Sequence, residues 1–161
     1  VCFINDCTAC PLCFWPYIFQ PVSNSFGHRP NTPYVIRTVL EYFRPETLRP
    51  GDAIFLNDSF LGSGHFPDCF MASPVFLEEQ LVGFVVNTAH HIDVGGAAPG
   101  SQRVHGVSES FQEGLRILPI RLVREGKFDP DLLRMILANV RIPEKVEGDL
   151  NAQSWASDKV N

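Results

Sequence analysis

A chain of 161 residues that is 45% hydrophobic and 19% charged is long enough to bury one real core and too apolar to stay disordered. Its net charge of -5 and pI near 5.5, with no run of Lys or Arg, exclude a nucleic-acid face and an anionic-membrane face. No apolar run reaches the roughly 18 residues of a bilayer span and residues 1–19 carry no basic leader, so the expectation is a cytoplasmic protein acting on small molecules and protein partners.

Residues 1–33 hold Cys2, Cys7, Cys10 and Cys13 among aromatics and the Trp15-Pro16 and Gln20-Pro21 breaks, with no sustained period, and stay unassigned. Cys7-x-x-Cys10-x-x-Cys13 has the spacing of iron-sulfur or zinc ligands. A fourth ligand would have to be Cys2 or a distant residue, and the apolar surroundings favour inert thiols. Residues 34–153 read as one domain and 154–161 as a frayed polar tail.

Val35, Ile36, Val39, Leu40 and Phe43 recur at helical spacing after Pro33, giving a helix ended by Pro45. Arg49-Pro50-Gly51-Asp52 makes a turn, and Ala53-Ile54-Phe55-Leu56 reads as a short buried strand. That strand delivers Asn57-Asp58 into a glycine-rich loop, where the pair is either a turn cap or part of a site. In Gly62-Ser63-Gly64-His65-Phe66-Pro67-Asp68, the imidazole and carboxylate three residues apart can meet one divalent ion or each other.

Residues 69–77 and 81–86 suit two strands around Glu78-Glu79-Gln80. The second runs out into Ala89-His90-His91-Ile92-Asp93. If it stays extended, His91 and Asp93 share a face while His90 takes the other. No Lys or Arg lies between Pro50 and Gln102, so the carboxylates there have no cation nearby in sequence. The expectation is that His65, Asp68, His90, His91 and Asp93 gather at neighbouring strand ends around manganese, zinc or iron. Which of His90 and His91 is the ligand stays open.

Glu109, Gln112 and Glu113 lie on one face of a helical turn before Gly114, placed either to reach a ligand or to cap the turn. Asp58 and Glu113 are the candidate catalytic carboxylates. Residues 117–123 read as a strand, and Asp129-Pro130-Asp131 opens the clearest helix, with its stripe at Leu132, Leu133, Ile136, Leu137 and Val140. Glu144 to Gln153 is polar enough to be an exposed helix start or a linker.

Motifs run through the chain in order: Gly51-Asp52-x-Ile54 with Asn57-Asp58, Gly62-x-x-His65-x-Pro67-Asp68, and Ala89-His90-His91-x-Asp93-x-Gly95-Gly96-x-x-Pro99-Gly100-Ser101. Phe111-Gln112-Glu113-Gly114-Leu115-Arg116-Ile117, residues 136–141 and Gly148-Asp149-Leu150-x-Ala152-Gln153 follow. Together they resemble the hydantoinase B/5-oxoprolinase family. Two departures are small-residue swaps: Asp58-Ser59 where the family has Asp-Pro after the Asn, and Gly62-Ser63-Gly64 before the histidine.

The resemblance implies an α+β fold, a mixed β-sheet with few helices, forming the front portion of a larger domain. It implies a B-type subunit of an ATP-dependent hydantoinase or 5-oxoprolinase. A partner ATPase of the hydantoinase A type would spend ATP to phosphorylate a small cyclic amide, and a divalent metal would assist hydrolytic opening. Carboxylation of acetone-like ketones, or an inactive scaffold that binds the ATPase partner, are the alternatives.

Overall fold

The computed structural model of the chain describes residues 2–4, 17–19, 32–101 and 105–158. The Cys7/Cys10/Cys13 question and the ends of the chain lie outside these residues. Among those described, no helix is long and apolar enough to cross a membrane.

Seven strands form one sheet: β1 (Cys2–Ile4), β2 (Tyr17–Phe19), β3 (Ala53–Leu56), β4 (Asp68–Leu77), β5 (Gln80–His90), β6 (Ile120–Arg124) and β7 (Lys127–Phe128). Their order is β2-β1-β5-β4-β3-β6-β7. Three helices, α1 (Thr32–Tyr42), α2 (Pro130–Leu137) and α3 (Pro143–Asp158), complete an α+β fold. Every strand pairing among the described residues is antiparallel.

β3 is buried at all of its positions because both faces of the sheet are covered. Ile54 and Leu56 pack with Phe70, Ala72 and Phe84 under Val35, Ile36 and Val39 of α1. Ala53 and Phe55 face the other way, with Cys69 and Met71, against Ile136 of α2 and Val146 and Leu150 of α3. The period-2 alternation of each strand thus feeds two separate cores.

β4 and β5 form a long hairpin whose turn residue Glu78 takes a left-handed φ of 56°. β5 continues four residues past the expected Val86, which carries the ladder as far as Asp68 opposite His90. β6 begins at Ile120 rather than 117, since Ile117 is bonded to Asn57: its N–H donates to Asn57 Oδ1 at 2.7 Å, and its carbonyl accepts from Asn57 N at 3.1 Å.

α2 starts where the sequence placed it, with the Asp129 side chain accepting from the N–H groups of Asp131 and Leu132. Glu144 to Gln153, open between an exposed helix start and a linker, lies in α3, which runs on to Asp158. Its buried side chains are Val146, Leu150 and Gln153, a stripe at i, i+4 and i+7 narrow enough to hide in a polar composition.

Candidate metal centre

The loop leaving β3 is fixed by Asn57, whose fully buried amide donates to the carbonyls of Phe66 and Leu115, each at 2.9 Å. One side chain therefore ties residues 57, 66 and 115–117 together. Asp58 is equally buried, and its carboxylate is taken up by Arg116 Nη2 at 2.6 Å and Nε at 2.7 Å and by the N–H of Phe60 at 2.8 Å. Arg116 lies over the Phe60 ring, 5.5 Å from its centre. Asp58 is thus the anchor of this loop rather than a free catalytic acid.

The following turn brings His65 to Asp68. Ser63 Oγ sits 2.6 Å from the His65 carbonyl and 2.8 Å from that of Asp68, and Asp68 N–H donates to the His65 carbonyl. Asp68 opens β4 and His90 closes β5, directly paired across the ladder. His65 Nε2 and His90 Nδ1 then converge on one atom, Asp68 Oδ1, at 3.0 and 2.9 Å.

The two rings lie 4.9 Å apart, and the three ligand atoms fall within 4.8 Å of one another. Asp68 is buried at the base, while the His65 and His90 side chains are 40% and 43% exposed at the mouth. Two imidazole nitrogens and a carboxylate oxygen are a donor set suited to manganese, zinc or iron, and the open mouth leaves coordination positions for substrate or water.

Glu113 flanks this group without joining it. Its Oε1 accepts from Phe66 N–H at 3.1 Å and stands 3.9 Å from His65 Nδ1. Gln112, expected on the same face, turns back to accept from the N–H groups of Ser108 and Glu109 at 2.8 and 3.1 Å. A cleft of about 360 Å³ lined by Ala98, Ser108, Glu109, Gln112 and Glu113 opens beside the site.

His91 and Asp93 do not converge with the others. β5 ends at His90, and beyond it both side chains turn to the core, where they line the same small apolar cavity. His91 is 2% exposed and lies 2.8 Å from Gln153 Oε1 through Nε2. Burial lowers its pKa from 6.5, outweighing that bond, so the ring is neutral. Asp93, 1% exposed, accepts from Arg141 N at 2.6 Å, Arg141 Nη1 at 2.9 Å and Gly95 N at 3.3 Å. A carboxylate with those donors has its lone pairs committed, so it braces the loop to the end of α2 instead of binding an ion.

Burial also pushes the Cys69 thiol well above its usual range, leaving it inert. Arg116, Arg141 and Gln153 are the residues whose roles sequence reasoning missed. All three fall inside the quoted motifs, but their partners are 43 to 84 residues away.

The hydantoinase B/oxoprolinase family model matches residues 22–161. The chain belongs to that family. It is 36% identical over 122 residues to the putative B-type subunit of a D-/L-hydantoinase from Pseudomonas sp. strain NS671, covering 76% of this chain and 20% of that protein. The crystal structure of the ATP-dependent caprolactamase from Pseudomonas jessenii superposes with a TM-score of 0.68 at 32% identity, over 79% of this chain and 22% of the other. A nucleotide-free acetone carboxylase structure gives 0.67 at 26%, over 77% and 16%. The chain spans about a fifth of the length of the curated relatives it matches at 36–39% identity. Within this hydantoinase B chain, the loop after β3 and the ends of β4 and β5 carry the convergent imidazoles.

Proposed function

We propose that this hydantoinase B segment forms the metal-holding part of a subunit that opens a small cyclic amide, of the hydantoin or 5-oxoproline class, after a partner ATPase has phosphorylated the carbonyl oxygen. The observation that carries it is the meeting of His65, Asp68 and His90 within 4.8 Å at an open mouth. Likeness to a hydantoinase and a caprolactamase supports the substrate class.

His65 Nε2, Asp68 Oδ1 and His90 Nδ1 would hold the ion. A divalent ion held there would supply Lewis-acid chemistry, lowering the pKa of a nearby water. Asp68, buried and anchored in the ladder, is the carboxylate of the three-residue donor set. Glu113 accepts from the Phe66 N–H and stands 3.9 Å from His65 Nδ1, which makes it the nearby carboxylate that would take a proton from an attacking water. Asp58 contributes by holding the loop through Arg116.

The test is metal content and turnover together. The chain equilibrated with Mn2+ or Zn2+ should retain about one ion per molecule, and His65→Ala with His90→Ala should remove it. Reconstituted with its ATPase partner, the full-length assembly should consume ATP when given hydantoin or 5-oxoproline. The likeness to acetone carboxylase favours a second reading, carboxylation of a small ketone. ATP consumption with acetone and bicarbonate, and none with cyclic amides, would establish that reading instead. No metal retained by the wild-type chain would leave the scaffold role.

A further inference from the structure

Gln153 is the one polar side chain of α3 among the buried residues, and it is 5% exposed. Its Nε2 donates to the carbonyl of Cys69 at 3.0 Å and to Asn87 Oδ1 at 2.9 Å. Both amide hydrogens are then used, so Oε1 can only accept, and the proton of His91 must sit on Nε2. Asn87 Nδ2 returns a bond to the Gln153 carbonyl at 2.9 Å.

The three groups it holds are not scattered. Cys69 follows Asp68 on β4, His91 follows His90, and Asn87 precedes it by three residues on β5. One amide on the far side of the sheet thus grips both strands at the places from which the converging side chains leave. Nothing about closing a hydrophobic core requires a fully satisfied amide at that position. Leu150, one turn earlier on the same stripe and fully buried, does the packing without such bonds.

We infer that Gln153 is a positioning residue for the metal centre, fixing the separation of Asp68 and His90 through the backbone of β4 and β5. The inference rests on the metal reading of His65, Asp68 and His90. A clamp of this kind acts by preorganising donors, so its loss should show in metal affinity beyond any loss of stability.

The experiment compares Mn2+ affinity of the wild-type chain with that of Gln153→Met, Asn87→Ser and Leu150→Val, measured by titration calorimetry beside thermal melting. Gln153→Met keeps length and apolar volume while deleting the three bonds, and should weaken binding about tenfold. Asn87→Ser releases only the β5 arm, should weaken binding a few-fold, and carries the test alone if the methionine variant does not fold. Leu150→Val should lower the melting temperature with affinity unchanged. Wild-type affinity in both polar variants, or an equal loss in Leu150→Val, overturns the inference while leaving the metal reading standing. Absence of binding in the wild-type chain removes both.

Discussion

Asp93→Ala separates a brace from a ligand, because the two roles predict opposite pairs of outcomes. Removing the carboxylate orphans the N–H of Arg141, bonded at 2.6 Å, and that of Gly95, at 3.3 Å. A buried donor left without an acceptor costs about 1–3 kcal/mol, and both N–H groups fall in the lower half of that range, the Arg141 bond being only part-buried and the Gly95 bond long. The Arg141 guanidinium adds little, since its side chain is 40% exposed and keeps the carbonyls of Gly96 and Gly95 as acceptors. The expected loss is about 2 kcal/mol, which for a chain of this size lowers the melting temperature by roughly 4–8 °C. Metal affinity should stay within about a factor of three, because the proposed donors, His65, Asp68 and His90, are elsewhere. Thermal melting by circular dichroism and Mn2+ titration on the same preparation check both halves. An unchanged melting temperature with binding abolished would refute the argument and restore Asp93 as a ligand.

Asn57→Ala should cost about 3 kcal/mol or more, because it strands the Ile117 N–H and the Phe66 and Leu115 carbonyls at once; urea unfolding within about 1 kcal/mol of wild type would contradict this. Asp129 has its carboxyl held below the ordinary 3.8 chiefly by the N–H of Leu132, then by that of Asp131. A depressed carboxyl contributes stability present above its unfolded value and lost as the pH falls through its folded one. Asp129→Asn still caps α2 but does not titrate, so its urea midpoint should fall less steeply than wild type below about pH 4; identical acid limbs would show that the cap carries no charge-dependent share.

What was legible in the chain was whatever depends on neighbours in sequence. Asp129-Pro130-Asp131 announces α2 because a cap, a φ-fixed first turn and an acidic second position act within four residues. The helix at Val35, Ile36 and Val39 and the strand Ala53–Leu56 were visible for the same reason, their apolar spacing matching the period of the element they form. For α3 the sequence left a helix start and a linker both open, because the helix buries one narrow stripe ending in a glutamine. Composition alone gave Glu144 to Gln153 the look of a solvated segment.

The candidate site shows the same limit more sharply. Alternation correctly sent His90 and His91 to opposite faces and put Asp93 with His91. Which of the two histidines could meet a second ligand stayed open in the sequence, because neighbours along one strand do not show what lies across the ladder. Across the ladder His90 meets Asp68, and on the far face Asp93 meets an arginine 48 residues on. No cation lies between Pro50 and Gln102, so Asp93 looked unpaired from the sequence, yet the residue that satisfies it arrives after α2. A carboxylate beside an imidazole therefore says little about metal binding until the strand opposite and the helix above it are known. In an antiparallel hairpin the cross-strand partner decides, which is why the register ending at Asp68 and His90 identifies the centre better than either motif does.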